Sequence, residues 1–225
     1  MTKYIWLILL AVFSAVHLKD SYNDDAKKRA RTKGLLVPMI IAYLIHSALE
    51  RGSFGLSIIL LLSGLIFSWL GDILLIPSGM KWLLAGGISF LFTHFLFIAI
   101  YIPHIILSEI KWYIVIPVAL IYFAVAAKVV TTIKPFAPKM MRIPLFAYLI
   151  GNALMNTFAV TMLVSNPCRG SITAFIGALL FFISDSTLFF VRFHENKNII
   201  FKRHFTVMLT YILAELMITL GILWM

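Results

Sequence analysis

Eight long apolar segments dominate this chain and leave few folds open to it. They cover roughly residues 4–18, 35–49, 55–76, 83–102, 112–130, 143–164, 172–191 and 205–225. A helix needs about 20 apolar residues to cross a bilayer, and only helices and closed barrels satisfy their backbone hydrogen bonds there. The segments are continuously apolar rather than alternating, which excludes a barrel. We therefore predict an all-α polytopic membrane protein, with about eight transmembrane helices in one bundle and residues 1–225 forming a single domain.

The composition of the chain points to the same class. Hydrophobic residues make up 62%, charged residues 12%, and the mean hydropathy is +1.00, whereas a soluble domain is about half apolar and a quarter charged. The net charge of +10 does not indicate nucleic-acid binding, because no basic motif alternates with aromatic residues on a polar scaffold. The single Cys168 excludes an intrachain disulfide and a Cys-based zinc cluster. Lys19-Asp20-Ser21 follows the first segment instead of a signal-peptidase site, so we expect that segment to be retained as a helix.

Lys and Arg residues are unevenly distributed over the linkers. Fifteen of the 19 lie in or beside the odd-numbered linkers, and the other side has only four: Lys3, Arg51, Lys111 and Arg169. Cytoplasmic loops of membrane proteins carry an excess of Lys and Arg. We therefore expect the odd linkers on the cytoplasmic side and both termini outside, in the cytoplasmic membrane of a bacterium.

Two aspartates interrupt the apolar segments, Asp72 in the third and Asp185 in the seventh. A charge in hydrocarbon costs several kcal/mol, so such residues usually have a task or a partner. In the expected topology both segments run toward the cytoplasm. Asp72 precedes Pro77 by five residues and Asp185 precedes Arg192 by seven, which sets them roughly 8 and 10 Å from that end. We predict that the two carboxyls, at nearly equal depth, lie within about 10 Å and share a proton or a water.

A pair of buried carboxyls has a chemistry of its own. Two neighbouring carboxyls in a low-dielectric site cannot both ionise easily, so one keeps its proton. Such a pair offers one acid and one base at neutral pH, as the hydrolysis of an acetal-like bond requires. The alternative is structural, with each aspartate hydrogen-bonded to a neighbouring helix.

Other polar residues of the spans are expected near these aspartates. His94 in the fourth segment and Glu215 in the eighth lie nearer mid-membrane. Tyr211 is one turn before Glu215, on the same helical face and near the depth of the aspartates. His94 is equally compatible with a functional role and with a structural hydrogen bond to a carbonyl.

Basic residues at span ends are candidates for binding a substrate phosphate. Lys33, Arg142 and Arg192 stand where a cytoplasmic mouth would be. The alternative is a role as topology signals and lipid headgroup contacts. Spacing alone does not choose among the three.

A metal site is a further alternative. Asp72, Asp185 and His94 would supply the mixed oxygen and nitrogen ligands that zinc accepts. The last linker contains His194, Glu195 and His204, whose spacing matches no helical zinc motif. We expect these polar residues to be solvated. The chain has no G-x-S-x-G and no P-loop motif.

The chain contains a weak internal similarity. An offset of 113 residues aligns several pairs: Asp72 with Asp185, Gly71 with Ser184, Phe92-Thr93 with Phe205-Thr206, and Leu96 with Leu209. Parallel repeats occur in membrane proteins, so two parallel four-helix halves would explain it. Chance identity between apolar segments is the alternative.

Several short motifs occur in a recognisable order between Thr32-Lys33 and Tyr211: Gly71-Asp72, His94 with Tyr101, and Ser184-Asp185-Ser186 followed by Arg192-Phe193. In this order and spacing the chain resembles the lysoplasmalogenase family, also called YhhN-like membrane proteins. It differs from the family pattern at two positions. Gly34 stands where the family has a proline after the lysine of the first linker, and Glu215 stands where the family has a Gln.

The resemblance implies an eight-helix membrane hydrolase acting on lysoplasmalogens, which carry one vinyl-ether chain. The products would be a fatty aldehyde and glycerophosphocholine or glycerophosphoethanolamine. Vinyl-ether cleavage needs a proton delivered to carbon and then an attacking water, which an acid–base carboxyl pair supplies without a cofactor. We therefore predict catalytic Asp72 and Asp185, and the following substrate-binding residues: His94, Tyr211, Glu215, Lys33, Arg142 and Arg192.

The expected partners are the lysophospholipid substrate and the surrounding membrane lipids. Two other function classes remain open at this point. Paired intramembrane acids and a parallel repeat also suit a small proton-coupled transporter. A lipid-binding membrane protein without enzymatic activity is the other alternative.

Overall fold

The computed structural model describes residues 2–52, 54–196 and 199–225, and within these ranges the regular structure is entirely helical. Eight α-helices follow one another: α1 (Tyr4–Tyr22), α2 (Ala26–Arg51), α3 (Leu56–Leu74), α4 (Met80–Tyr101), α5 (Trp112–Ile133), α6 (Arg142–Ser165), α7 (Arg169–Phe193) and α8 (His204–Leu223). Three short 3₁₀ turns cover Ile102–His104, Leu107–Glu109 and Lys139–Met141. All eight α-helices are long and apolar enough to cross a membrane. The predicted all-α polytopic bundle is confirmed.

The connection between α1 and α2 is much shorter than the sequence suggested. The basic stretch predicted as a linker forms the last turn of α1 and the first two turns of α2 instead. Asp25 caps α2 by accepting a hydrogen bond from the Lys28 backbone N–H at 3.0 Å. Lys, Arg and Ala are good helix formers, so the helix starts before the apolar segment does. Lys197, counted above among the basic linker residues, lies outside the described residues.

Neighbouring helices in the chain pack as pairs, α1 with α2, α3 with α4, α5 with α6 and α7 with α8. The pair α7–α8 is central, because 61% of the apolar window of each of these helices is buried, against 17% for α1. The outer faces of α1 and α5 expose large apolar side chains, among them Ile8, Val12, Leu120 and Ile121. Lipid contact requires such a surface, since hydrocarbon offers no partner for polar groups.

Small residues allow α7 and α8 to approach closely. A Cβ atom at Gly177 would lie 2.7 Å from the Ile218 backbone nitrogen, and one at Gly221 would lie 2.5 Å from the Ala174 backbone nitrogen. Membrane helices commonly associate through small residues in this way. Closer to the connection between α7 and α8, the Ser184 hydroxyl donates to the Val207 carbonyl at 2.9 Å. These contacts hold α7, which carries one aspartate, in a fixed position against α8.

Candidate active site

Asp72 is buried in the last turn of α3, where α2, α3 and α8 meet. The Lys33 ammonium lies 3.2 Å from its Oδ1, and the Tyr211 hydroxyl donates to its Oδ2 at 2.8 Å. A carboxylate without such partners would be costly to bury. Both oxygens of Asp72 are therefore engaged, one by a cation and one by a phenol.

A single hydrogen bond helps to set the position of Lys33. The Trp69 indole N–H on α3 donates to the carbonyl of Gly34 on α2 at 2.9 Å. The bond joins the residue next to Lys33 to a residue one turn before Asp72. The two helices are thus fixed at the level where the ion pair forms.

Asp185 has a different set of partners, supplied by α4 and α6. Its Oδ2 accepts hydrogen bonds from the Tyr148 hydroxyl at 2.8 Å and from the Asn152 amide at 2.7 Å. His94 Nε2 lies 3.3 Å from the same oxygen. Asn156 in turn donates to the Asn152 side-chain oxygen at 2.9 Å. Among the described residues, Oδ1 has no hydrogen-bond partner and keeps accessible surface.

Both aspartates line one cavity of about 280 Å³. Within the described part of the chain, no hydrogen bond joins the two carboxyls, and each keeps its own partners. The Phe181 ring lies between the two groups of partners, with its centroid 5.1 Å from that of His94 and 5.7 Å from that of Tyr211. The structure thus brings both predicted catalytic residues to one cavity. A proton or water shared between them remains a prediction.

The rim of this cavity is basic. Its polar lining includes Arg29, Lys33, Arg192, His17 and His204. Arg29 is held by an ion pair with Asp24 at 2.6 Å, and Arg203 binds the same carboxylate at 3.1 Å. Partial burial opposes the effect, but the two arginines lower the pKa of Asp24 overall. Arg192 forms no ion pair with any described residue, so its charge is available to an anion in the cavity.

Arg142 is not brought to this cavity. It lies at the start of α6, on a separate groove between α5 and α6 that Lys134 also lines. Lys33 and Arg192 line the cavity, so the structure separates the three basic candidates that spacing could not. The difference arises because the start of α6 faces α5, whereas the first turns of α2 and the last turn of α7 both border the cavity.

Glu215 lies behind the cavity wall and does not line it. It is fully buried on α8, one turn beyond Tyr211. The Ser68 hydroxyl donates to Glu215 Oε1 and lies 3.3 Å from the Tyr211 hydroxyl. Glu215 is therefore linked to Asp72 through Ser68 and Tyr211, and of these two residues Tyr211 lines the cavity.

The partners of Asp185 on α6 were missed by sequence reasoning. Tyr148, Asn152 and Asn156 are spaced four residues apart, which sets all three on one face of a helix. A polar stripe of this kind inside an apolar span was a signal for a buried partner. Three further residues of the cavity lining, Arg29, His17 and His204, were missed as well, because they lie near helix ends where solvent or lipid contact is common.

The metal hypothesis combined Asp72, Asp185 and His94. His94 contacts Asp185, whereas Asp72 is engaged by Lys33 and Tyr211. Within residues 2–52, 54–196 and 199–225, no three His, Cys, Asp or Glu side chains form a group that could hold a metal ion.

The two aspartates draw their partners from equivalent helices. Asp72 on α3 is bound from α2 and α8, and Asp185 on α7 is bound from α6 and α4. Exchanging helices α1–α4 with α5–α8 converts one set into the other. This pattern agrees with the predicted pair of parallel halves.

Comparison with known proteins gives one family. No curated protein and no solved structure matches the chain. The model of the YhhN family matches residues 28–222. This range contains both aspartates and every side chain bonded to them. The chain therefore belongs to the YhhN family.

Proposed function

We propose that the protein is a membrane-embedded hydrolase that cleaves the vinyl-ether bond of lysoplasmalogens. The products are a fatty aldehyde and glycerophosphocholine or glycerophosphoethanolamine. Membership of the YhhN family is consistent with a hydrolase. The observation that carries the proposal is the pair of buried carboxyls, Asp72 and Asp185, lining one cavity with a basic rim.

Asp185 is the general acid in this proposal. Tyr148 and Asn152 both donate to Oδ2, so a proton on this carboxyl is carried by Oδ1, the oxygen with accessible surface. Transfer of that proton to the outer carbon of the vinyl ether leaves an oxocarbenium ion at the carbon bonded to oxygen. Negative charge nearby stabilises this cation in a poorly solvated cavity.

Asp72 is the ionised partner, because the Lys33 ammonium lies against it. It accepts a proton from the water that attacks the oxocarbenium carbon, and a hemiacetal forms. The hemiacetal then breaks its bond to the glycerol oxygen, which leaves as an alcohol while the aldehyde forms. The proton gained by Asp72 equals the proton lost by Asp185, and transfer through cavity water restores both groups.

Aldehyde release from purified protein in detergent is the direct test. A choline lysoplasmalogen should yield aldehyde, whereas the matched ester lysophosphatidylcholine should not be cleaved, because protonation of an enol-ether carbon is specific to the vinyl ether. Wild-type protein that releases no aldehyde from either choline or ethanolamine lysoplasmalogen would reject the proposed activity.

Replacing Arg192 by Gln should raise KM by about 10- to 100-fold with little change in kcat. Arg192 lines the cavity rim without an ion-pair partner among the described residues, so it can bind the substrate phosphate. A hydrogen bond to a charged group contributes about 1.5–3 kcal/mol, and a contact made equally in ground and transition states alters KM. Arg142→Gln is the matched comparison, because Arg142 lies on another groove. An equal rise in KM in both variants would contradict a phosphate site at this rim.

Replacing Tyr148 by Phe should lower kcat about tenfold and leave KM nearly unchanged. The substitution removes one hydrogen bond to Asp185 Oδ2 and keeps the ring. Loss of that bond leaves the carboxyl less firmly held in its working orientation. Steady-state kinetics with the vinyl-ether substrate check this expectation. A normal kcat would remove Tyr148 from the positioning of the acid.

A proton-coupled transporter is the second candidate. The equivalent partner helices of the two aspartates favour it, since repeated halves are common in transporters. Transport would require sealed vesicles and a gradient, and wild-type protein in detergent would then release no aldehyde. The detergent assay therefore separates the two candidates.

A further inference from the structure

An apolar groove adjoins the candidate active site. This α4–α6 groove has a volume of about 100 Å³ and runs between residues 83–91 of α4 and residues 141–148 at the start of α6 and the turn before it, with α7 on its inner side. Three residues line both the groove and the cavity of the two aspartates: Leu75, Phe90 and Leu188. The groove and the cavity therefore adjoin, with these three side chains between them.

Tyr148 joins the groove to the chemistry of the site. Its ring lines the groove, and its hydroxyl donates to Asp185. The other lining side chains are aliphatic, phenylalanine or thioether groups, or belong to glycine, alanine and proline. A polar ligand would find almost no hydrogen-bond partner along these walls, whereas a hydrocarbon chain needs none.

The groove reaches the outer surface of the bundle. Ile88, which is about half exposed, forms part of its lining. The groove ends at Leu91, where α4 and α6 approach closely. A Cβ atom at Gly151 on α6 would lie 2.4 Å from Leu91 Cδ1. The α4 wall from Leu83 to Leu91 extends for about 12 Å at 1.5 Å per residue. A hydrocarbon chain in the groove would therefore extend from beside the cavity toward the outer surface of the bundle.

We propose that the α4–α6 groove binds the hydrocarbon chain of a single-chain phospholipid whose headgroup lies at the basic rim. The inference rests on the proposed function, and it assigns the tail site of the same substrate class. It follows from an apolar groove that adjoins a cavity with carboxyls in its wall and cations at its rim, and from Tyr148, which lines the groove and binds Asp185. In this arrangement the bond between tail and headgroup lies beside Asp185.

Gly87 provides a way to fill the groove without disturbing the fold. It lines the groove, and a Cβ atom there would have no neighbour within 4 Å. Gly87→Phe should therefore occupy the space that a chain would use. Gly55 offers a matched control, because it is equally open and lies at the opposite end of α3 from Asp72.

The probes are lysophosphatidylcholines with C8 and C16 chains, bound to the protein in lipid nanodiscs. For Gly87→Phe we expect the ratio of C16 to C8 affinity to fall at least tenfold, because the longer chain needs more of the groove. Gly55→Phe should keep the wild-type ratio. An unchanged ratio in Gly87→Phe would overturn the proposal.

Photolabelling locates the chain directly. C16 lysophosphatidylcholine carrying a diazirine in its chain should label residues 83–91 and 141–148 in wild type, and Gly87→Phe should lose most of this labelling. Labelling confined to the outer faces of α1 and α5 would overturn the tail site. Equal labelling of the groove by a diazirine-bearing diacyl phosphatidylcholine would also overturn it, because the groove would then hold ordinary bilayer lipid.

Neither experiment depends on turnover, so the two proposals can fail separately. Groove labelling together with absent aldehyde release would reject the hydrolase and keep the tail site. Aldehyde release without groove labelling would reject the tail site and keep the hydrolase.

Discussion

Asp185→Asn should lower aldehyde release by about 10²–10⁴-fold while the protein stays folded, since general acids contribute on this order. Asn keeps the size of Asp, and its amide oxygen can still accept from Tyr148 and Asn152, whose donors both point to Oδ2. What is lost is the acidic proton on the oxygen facing the cavity. Turnover under saturating choline lysoplasmalogen measures the effect, and the thermal midpoint of unfolding reports on the fold.

Asp72→Asn should reduce turnover by a similar factor but should also destabilise the protein. The substitution leaves the Lys33 ammonium beside a neutral amide, whereas wild type pairs it with a carboxylate at 3.2 Å. Removing one member of a buried ion pair costs more than removing both. Lys33→Met combined with Asp72→Asn should therefore regain stability without regaining activity.

Losses within a coupled acid–base pair should not add, so the double Asn variant should resemble the worse single variant. Asp25→Asn is the control for the substitution itself, because Asn caps a helix as well as Asp does. A metal mechanism makes a different forecast, in which chelator inactivates wild type and zinc restores it. Near-normal turnover in either single variant would remove that aspartate from the proposed acid–base pair.

Gly177→Leu should destabilise the bundle more than the substitutions at Gly87 and Gly55, which meet open space. A Cβ atom there would lie 2.7 Å from the Ile218 nitrogen and 2.9 Å from the Ala214 carbonyl oxygen. Both neighbours are backbone atoms, so α7 and α8 must separate. Overpacking of this kind costs about 3 kcal/mol at the upper end of its usual range, or about 6–12 °C in thermal midpoint. Activity should fall too, because α7 carries Asp185 and α8 carries Tyr211.

Substituting Ala at Gly87 and at Gly177 tests whether an added Cβ atom raises or lowers the thermal midpoint at each position. Ala favours a helix over Gly by about 1 kcal/mol, so Gly87→Ala, which meets open space, should raise the thermal midpoint slightly. Gly177→Ala should lower it despite the same gain in helix propensity. Equal shifts in the two variants would mean that the α7–α8 contact is not tight at Gly177.

The two aspartates could be predicted from the sequence because a charge inside an apolar span is rare for an energetic reason. Counting residues to the span ends predicts an equal depth for the two aspartates, and one turn of helix links Tyr211 to Glu215. The partners of Asp185 required more. The spacing of Tyr148, Asn152 and Asn156 marks one polar face of α6, but which helix that face meets is set by packing between helices.

The sequence by itself determined the class of the fold, the number of spans and the two residues on which the proposed chemistry depends. Hydropathy and charge act locally along the chain, so these features can be counted without knowing any contact. Only the tertiary structure decided that Lys33 and Arg192 line the cavity while Arg142 lies on another groove. All three stand beside the ends of apolar segments, with similar surroundings in sequence. Their separation arises from helix order and rotation in the bundle, which are set by close contacts such as that between Gly177 and Ile218.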